Sequence, residues 1–187
     1  MKNSVFIATS LDGFIAGKND ELDWLSTFPV IDHIDTGFNE FTSRIDALLM
    51  GRNTFEVVAS FEGEWFYKKP VFVWSNSLKE IPEKFKDKAF LVKGSISEIL
   101  TKIHGKGFHD LYIDGGKTIQ SFLKEDLIDE MIITTIPVLL GSGIPMFGEL
   151  PKQLVFECIK STRFLDKVVQ NHFVRSREKY LGRISNI

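Results

Sequence analysis

Tyr112-Ile113-Asp114-Gly115-Gly116-Lys117-Thr118 is a short apolar run, then two adjacent glycines, then the polar opening of another apolar pattern. Such a stretch reads as a strand, a tight turn and the start of a helix over 117–124. The free N–H groups at a helix start, together with the positive end of its dipole, make this kind of turn an anion site. Glycine lets an anion reach the backbone with no Cβ in the way. The same pair equally serves a plain turn that needs positive φ, so Gly115 and Gly116 alone do not choose between the two. Gly116-Lys117-Thr118 matches the end of a P-loop, but that motif needs glycine at position 111, which is Leu111, and a P-loop is excluded.

Working outward, Met50-Gly51-Arg52-Asn53-Thr54 repeats the design: strand, glycine, then a helix over 53–61 with Asn53 and Thr54 as capping residues. Arg52 adds a guanidinium fork suited to a phosphate monoester; its other reading is a surface ion pair. Two such turns in one small domain favour a dinucleotide, which has phosphates to share between them. Strand patterns occupy 4–9, 47–50, 71–74, 90–92, 111–113, 130–137, 153–161 and 167–175, the earlier ones nearly continuous in apolar residues. Ser95-Ile96-Ser97-Glu98 is a capping box ahead of Ile99, Leu100 and Ile103 at helical spacing. A weaker helix pattern covers 33–44, and a long irregular stretch runs from Ser10 to about Ile31. Alternating strands and helices imply an α/β domain with a mostly parallel central sheet, closed by an antiparallel hairpin from the last two strands.

The 187 residues suit one domain, expected over 1–180 with a tail at 181–187. At 43% hydrophobic and 26% charged, a chain of this length folds without disulfide or metal. A net charge of -2 without a dense Lys/Arg run argues against a nucleic-acid partner. No apolar run nears the ~20 residues of a membrane span, and Met1-Lys2-Asn3 leads straight into a strand, so a cytoplasmic protein is expected. Cys158, in the apolar run Leu154-Val155-Phe156-Glu157-Cys158, is expected as a buried structural thiol. Histidines at 33, 104, 109 and 172 are scattered, so no metal site is expected, and no G-x-S-x-G elbow points to a hydrolase. Hydride transfer fits this inventory, because the cofactor carries the difficult chemistry.

Ser10-Leu11-Asp12-Gly13-Phe14-Ile15-Ala16, Leu49-Met50-Gly51-Arg52-Asn53-Thr54-Phe55-Glu56 and Ile113-Asp114-Gly115-Gly116-Lys117 resemble the dihydrofolate reductase-like superfamily. Pro137-Val138-Leu139-Leu140-Gly141-Ser142-Gly143-Ile144-Pro145 resembles its branch related to the C-terminal reductase domain of the riboflavin-biosynthesis protein RibD. The resemblance implies a three-layer α/β/α fold and an NADPH-dependent oxidoreductase, with the cofactor across the C-terminal ends of the strands. It places Arg52, Asn53 and Thr54, with Gly51, at the phosphates and adenosine side. Ser75 and Asn76 fall at the adenine ribose, and Asp114, Gly115, Gly116, Lys117 and Thr118 at the pyrophosphate turn. Ala8, Ile15 and Ala16 line the nicotinamide pocket, and Asp23-Trp24 ends the loop that closes it.

Two departures narrow the activity. Bacterial dihydrofolate reductases carry a carboxylate about five residues after this tryptophan; here that offset is Pro29, and the nearest acids are Asp32 and Asp35. The zinc-bearing deaminase domain usual beside the riboflavin reductase has no counterpart here. The expected activity is therefore that of a stand-alone reductase of a pyrimidine- or pterin-like heterocycle, of the 5-amino-6-(5-phosphoribosylamino)uracil reductase type. A divergent dihydrofolate reductase and a non-catalytic nucleotide-binding module are the alternatives. Asp12 is the candidate proton donor, with an Asx-type turn bond as its other role; Asp23, Trp24 and Asp32 are the candidate substrate-pocket residues. The apolar stretch 132–140, read as a sheet edge, together with the resemblance to dimeric reductase domains, predicts a homodimer.

Overall fold

The computed structural model describes residues 1–27, 35–164 and 166–177. Its elements run β1 (Lys2–Ser10), β2 (Phe14–Ala16), a 3₁₀ turn (Asp23–Thr27), α1 (Phe38–Ser43), β3 (Ala47–Gly51), α2 (Arg52–Ser60), β4 (Val71–Trp74), a second 3₁₀ turn (Glu83–Phe85) and β5 (Ala89–Val92). They continue with α3 (Ile96–His104), β6 (Asp110–Asp114), α4 (Gly116–Lys124), β7 (Glu130–Ile136), β8 (Ile144–Pro145), β9 (Val155–Phe164) and β10 (Val168–Ser176). Eight strands form one sheet in the order β5-β4-β3-β6-β1-β7-β10-β9. The first six are parallel, while β10 runs antiparallel to both β7 and β9.

The apolar runs are explained by burial on both faces. Along β3, Ala47 and Leu49 enter one core and Leu48 and Met50 the other. Helices α3 and α4 cover the first face with Ile96, Ile99, Ile103, Ile119, Phe122 and Leu123. Helices α1 and α2 cover the second with Phe41 and Phe55. Each fully buried side chain of this kind contributes roughly 1.5–3 kcal/mol. The result is the expected three-layer α/β/α fold with its antiparallel C-terminal hairpin.

Four expectations change. The stretch after Ser10 is not irregular throughout, since β2 pairs with β8 and a 3₁₀ turn follows. The helix expected over 33–44 begins at Phe38, behind Gly37 at φ 85, where a helix cannot run; residues 28–34 lie outside the described part. Residues 132–136 are not an edge, because β7 is paired on both sides, to β1 and to β10. Cys158 is exposed: Leu154 and Phe156 pack onto the core, but outer strand β9 then runs beyond the layer that covers them.

Candidate functional site

Strand order places the cleft. From central β1 the chain crosses to β3 and builds outward through β4 and β5, then returns to lay β6 between β3 and β1. A crevice opens at the carboxyl ends of the strands where such a sheet reverses direction. There β3 ends in Gly51 and β6 in Asp114, and each leads at once into a helix.

The two glycine turns interlock. A Cβ on Gly115 (φ 87) would lie 2.1 Å from Thr54 Oγ1, and one on Gly51 would lie 3.1 Å from Thr118 Oγ1. Glycine is thus required at position 115 by its backbone and by the opposite turn, whatever else binds there. Neither helix start is closed by a side chain. Gly51 is the N-cap of α2 and Gly115 that of α4, and neither has a side-chain cap. Asn53 and Thr54, expected as caps, lie inside the first turn of α2 instead, because the strand leads into the helix one residue earlier. Helix α3 differs: Ser95 Oγ accepts from Glu98 N, and Glu98 Oε2 accepts from Ser95 N at 2.7 Å. The open N–H groups of α2 and α4 are therefore left for an anion.

A cleft of about 680 Å³ brings together Ala8, Ile15, Ala16, Gly51, Arg52, Asn53, Thr54, Asp114, Gly115, Gly116, Lys117 and Thr118. Arg52 Nε donates to Glu56 Oε1 at 2.7 Å across one helical turn, the ion pair of its second reading, and the residue also lines the cleft. Asp114 is reached from the cleft yet hemmed in by protein. Its Oδ1 accepts from Gly115 N at 2.8 Å and its Oδ2 from Tyr67 Oη at 3.2 Å. Burial pushes its carboxyl above the usual range, against those hydrogen bonds. No cation pairs with it among the described residues. Tyr67 is pushed up as well, by burial first and by Asp114 second.

Other expected residues stand elsewhere. Asp12 lies outside the cleft, where its carboxylate accepts from Ser10 Oγ at 2.6 Å, Gly141 N at 2.7 Å and Leu140 N at 3.2 Å. Those bonds hold its pKa low, the Ser10 bond most of all, which suits an anchor and not a proton donor. Asp12 therefore ties the β1–β2 turn to Gly141. Ser75 and Asn76 also lie outside the cleft. Ser75 Oγ accepts from Leu78 N at 3.0 Å and closes the turn after β4, while Asn76 Oδ1 accepts from Gly94 N at 3.2 Å and ties that turn to the segment after β5. Asp23 begins the 3₁₀ turn, and Trp24 packs with Ile136 and Val168. Their neighbours Leu22 and Leu25 face the cleft instead. Asp32 lies outside the described residues. Among the described residues no cluster of His, Cys, Asp or Glu could hold a metal ion.

Tyr67, Trp74, Val57, Val58 and Phe61 line the cleft although the sequence reading did not single them out. Val57 and Val58 were within reach, one helical turn beyond Thr54. Tyr67 sits in an aperiodic stretch, and no local pattern marks it.

Residues 4–170 match the RibD C-terminal domain family. The uncharacterized protein YwjB of Bacillus subtilis (strain 168) is 35% identical over 178 residues, covering 94% of this chain and 98% of that protein. A crystal structure from Shewanella sp. PV-4, of a protein named provisionally for riboflavin biosynthesis, superposes with a TM-score of 0.91 at 55% identity, covering 95% of this chain and 100% of that one. Dihydrofolate reductase from Enterococcus faecalis, complexed with NADP(H), shares the fold: TM-score 0.63 at 17% identity, over 93% of this chain and 96% of that one. The family match spans most of the chain, and the chain belongs to the RibD C-terminal domain family.

Proposed function

We propose that this chain is an NADPH-dependent reductase of the RibD C-terminal type, acting on a pyrimidine- or pterin-like heterocycle. The observation that carries the reading is the convergence of two uncapped helix starts on one cleft that also holds a carboxyl of raised pKa. NADPH bound there would supply hydride. The open N–H groups of α2 and α4, with Arg52 and Lys117 beside them, suit its phosphates. Ala8, Ile15, Ala16 and Ile144 provide an apolar wall that keeps water from the reacting end. The NADP(H) complex of the E. faecalis enzyme, which shares the fold, supports the choice of cofactor, and the name of the Shewanella protein supports a riboflavin-related substrate.

Reducing a C=N bond also takes a proton. Asp114 is suited to hold it, because burial keeps its carboxyl protonated to higher pH than an ordinary aspartate. Tyr67 keeps its own proton and orients the Asp114 carboxyl through the bond to Oδ2. The test is to titrate the protein with NADPH by fluorescence and then add a panel of oxidised pyrimidines and pterins, following NADPH absorbance. Saturable binding with oxidation by a panel member is expected. Binding without oxidation would make the chain a nucleotide-binding module, and absence of saturable binding would overturn the reading. A cytoplasmic homodimer belongs to the same proposal. Its interface needs a surface beyond the paired strand 132–136, and Leu11, Phe147 and Leu150, exposed around an uncharged hollow, offer one. Light scattering at the monomer mass alone would remove it.

A further inference from the structure

Residues 137–147 leave β7, run beside the β1–β2 turn and bring Ile144 into the lining of the cleft. Both ends of this strap are seated. Val138 and Leu140 pack with Trp24, Ile136 and Val168, and Met146 is fully buried in the core that α3 and α4 cover. Between them stand Gly141, Ser142 and Gly143, which offer no apolar side chain to hold the middle in place. Hydrogen bonds to the β1–β2 turn hold it instead. Leu11 N donates to Val138 O at 2.8 Å, and Met146 N donates to Gly13 O at 2.9 Å. Between those two bonds, the Asp12 carboxylate accepts from Leu140 N and from Gly141 N. Ser10 Oγ donates to Asp12 Oδ1 at 2.6 Å and accepts from Phe14 N at 2.9 Å, so the carboxylate is itself tied to the first residue of β2.

This clasp reaches the cleft through direct packing. In the pairing of β2 with β8, Phe14 stands opposite Pro145 and Ala16 opposite Ile144. A Cβ on Gly143 would lie 2.1 Å from Ala16 O. One on Gly116, at the opening of α4, would lie 3.0 Å from Ile15 Cδ1 and 3.1 Å from Ile144 Cγ2. Strap, β2 and the start of α4 are stacked without slack, so a shift of the strap is passed on to the apolar wall made by Ile15, Ala16 and Ile144. Arg52, Asn53, Thr54, Lys117 and Thr118 belong to α2 and α4 and take no part in the clasp.

We propose that Asp12 is a positioning residue for the nicotinamide half of the cofactor: it clasps residues 140 and 141 to the β1–β2 turn and thereby sets the wall of Ile15, Ala16 and Ile144. The inference rests on the NADPH reading above. The test titrates wild type, Asp12→Ala and Asp12→Asn with NADPH by fluorescence, and with 2′,5′-ADP, which lacks the nicotinamide, by calorimetry. Asp12→Ala should bind NADPH about tenfold more weakly and lose the enhanced emission of an enclosed nicotinamide, while its affinity for 2′,5′-ADP stays within about twofold of wild type. Asp12→Asn, whose Oδ1 can still accept from Gly141 N, should bind NADPH within about threefold of wild type. Loss of a negative charge alone would tighten the binding of both anionic ligands, which is the opposite sign. Asp12 is exposed, and an unchanged 2′,5′-ADP affinity reports that Asp12→Ala is folded. Equal NADPH affinity in wild type and Asp12→Ala, or a parallel loss of both ligands, would overturn the proposal and leave the NADPH reading standing. Absence of saturable NADPH binding by wild type would overturn both.

Discussion

Helices α3 and α4 are each nine residues long and each follows a strand in the same sheet, yet their starts are finished in opposite ways. At α3, Ser95 and Glu98 satisfy each other's backbone N–H groups and the end is closed. At α4 and again at α2, a glycine stands where the capping side chain would be, and both open ends face one cleft. A closed end contributes stability at its own position. An open end gives that up, and two given up at one place are the basis of the proposed anion site.

The difference can be broken most severely at Gly115. Gly115→Ala places a Cβ against Thr54 at a left-handed backbone, and should cost about 3 kcal/mol or more in urea unfolding. Asp114→Asn should lower turnover of the heterocycle about a hundredfold or more while NADPH binding stays unchanged. It should also alter stability against pH. Burial raises the Asp114 pKa in the folded chain above that of an ordinary carboxylate, so stability from this group falls as pH rises from the ordinary carboxylate range through the folded pKa. Urea melts of wild type and Asp114→Asn at about pH 4 and about pH 8 should show the wild type losing stability relative to the variant as pH rises. Arg52→Ala should weaken NADPH binding about tenfold, ~1.4 kcal/mol, and barely alter stability, because its pair with Glu56 is exposed. Ser95→Ala is the converse: it should cost ~1 kcal/mol of stability and leave NADPH binding untouched.

Much of this was legible because it is local. The runs at 47–50, 71–74 and 111–113 are strands as read, and the capping box at Ser95 is present in full. Both glycine turns could be seen, since strand, glycine and helix start are consecutive. What the sequence did not carry was the identity of distant partners. Asp12 read as either a proton donor or a turn anchor, and its bonds to Leu140 and Gly141 favour the anchor, while Asn76 is occupied by Gly94 in the segment after β5. The reverse holds for Asp114 and Tyr67: the first read as a residue of the pyrophosphate turn and the second had no pattern at all, and only the folded chain shows that burial raises the Asp114 pKa and that Tyr67 bonds to it. Cys158 failed for a related reason, because an apolar run does not say whether a covering layer reaches its far end.

The central claim, that the open helix ends form an NADPH site and the closed one does not, is met most directly by one fluorescence titration of NADPH into wild type, Arg52→Ala and Ser95→Ala in parallel. Saturable binding by wild type and Ser95→Ala with equal affinity, and about tenfold weaker binding by Arg52→Ala, is the predicted result. No saturable binding, or equal affinity in all three proteins, would contradict it.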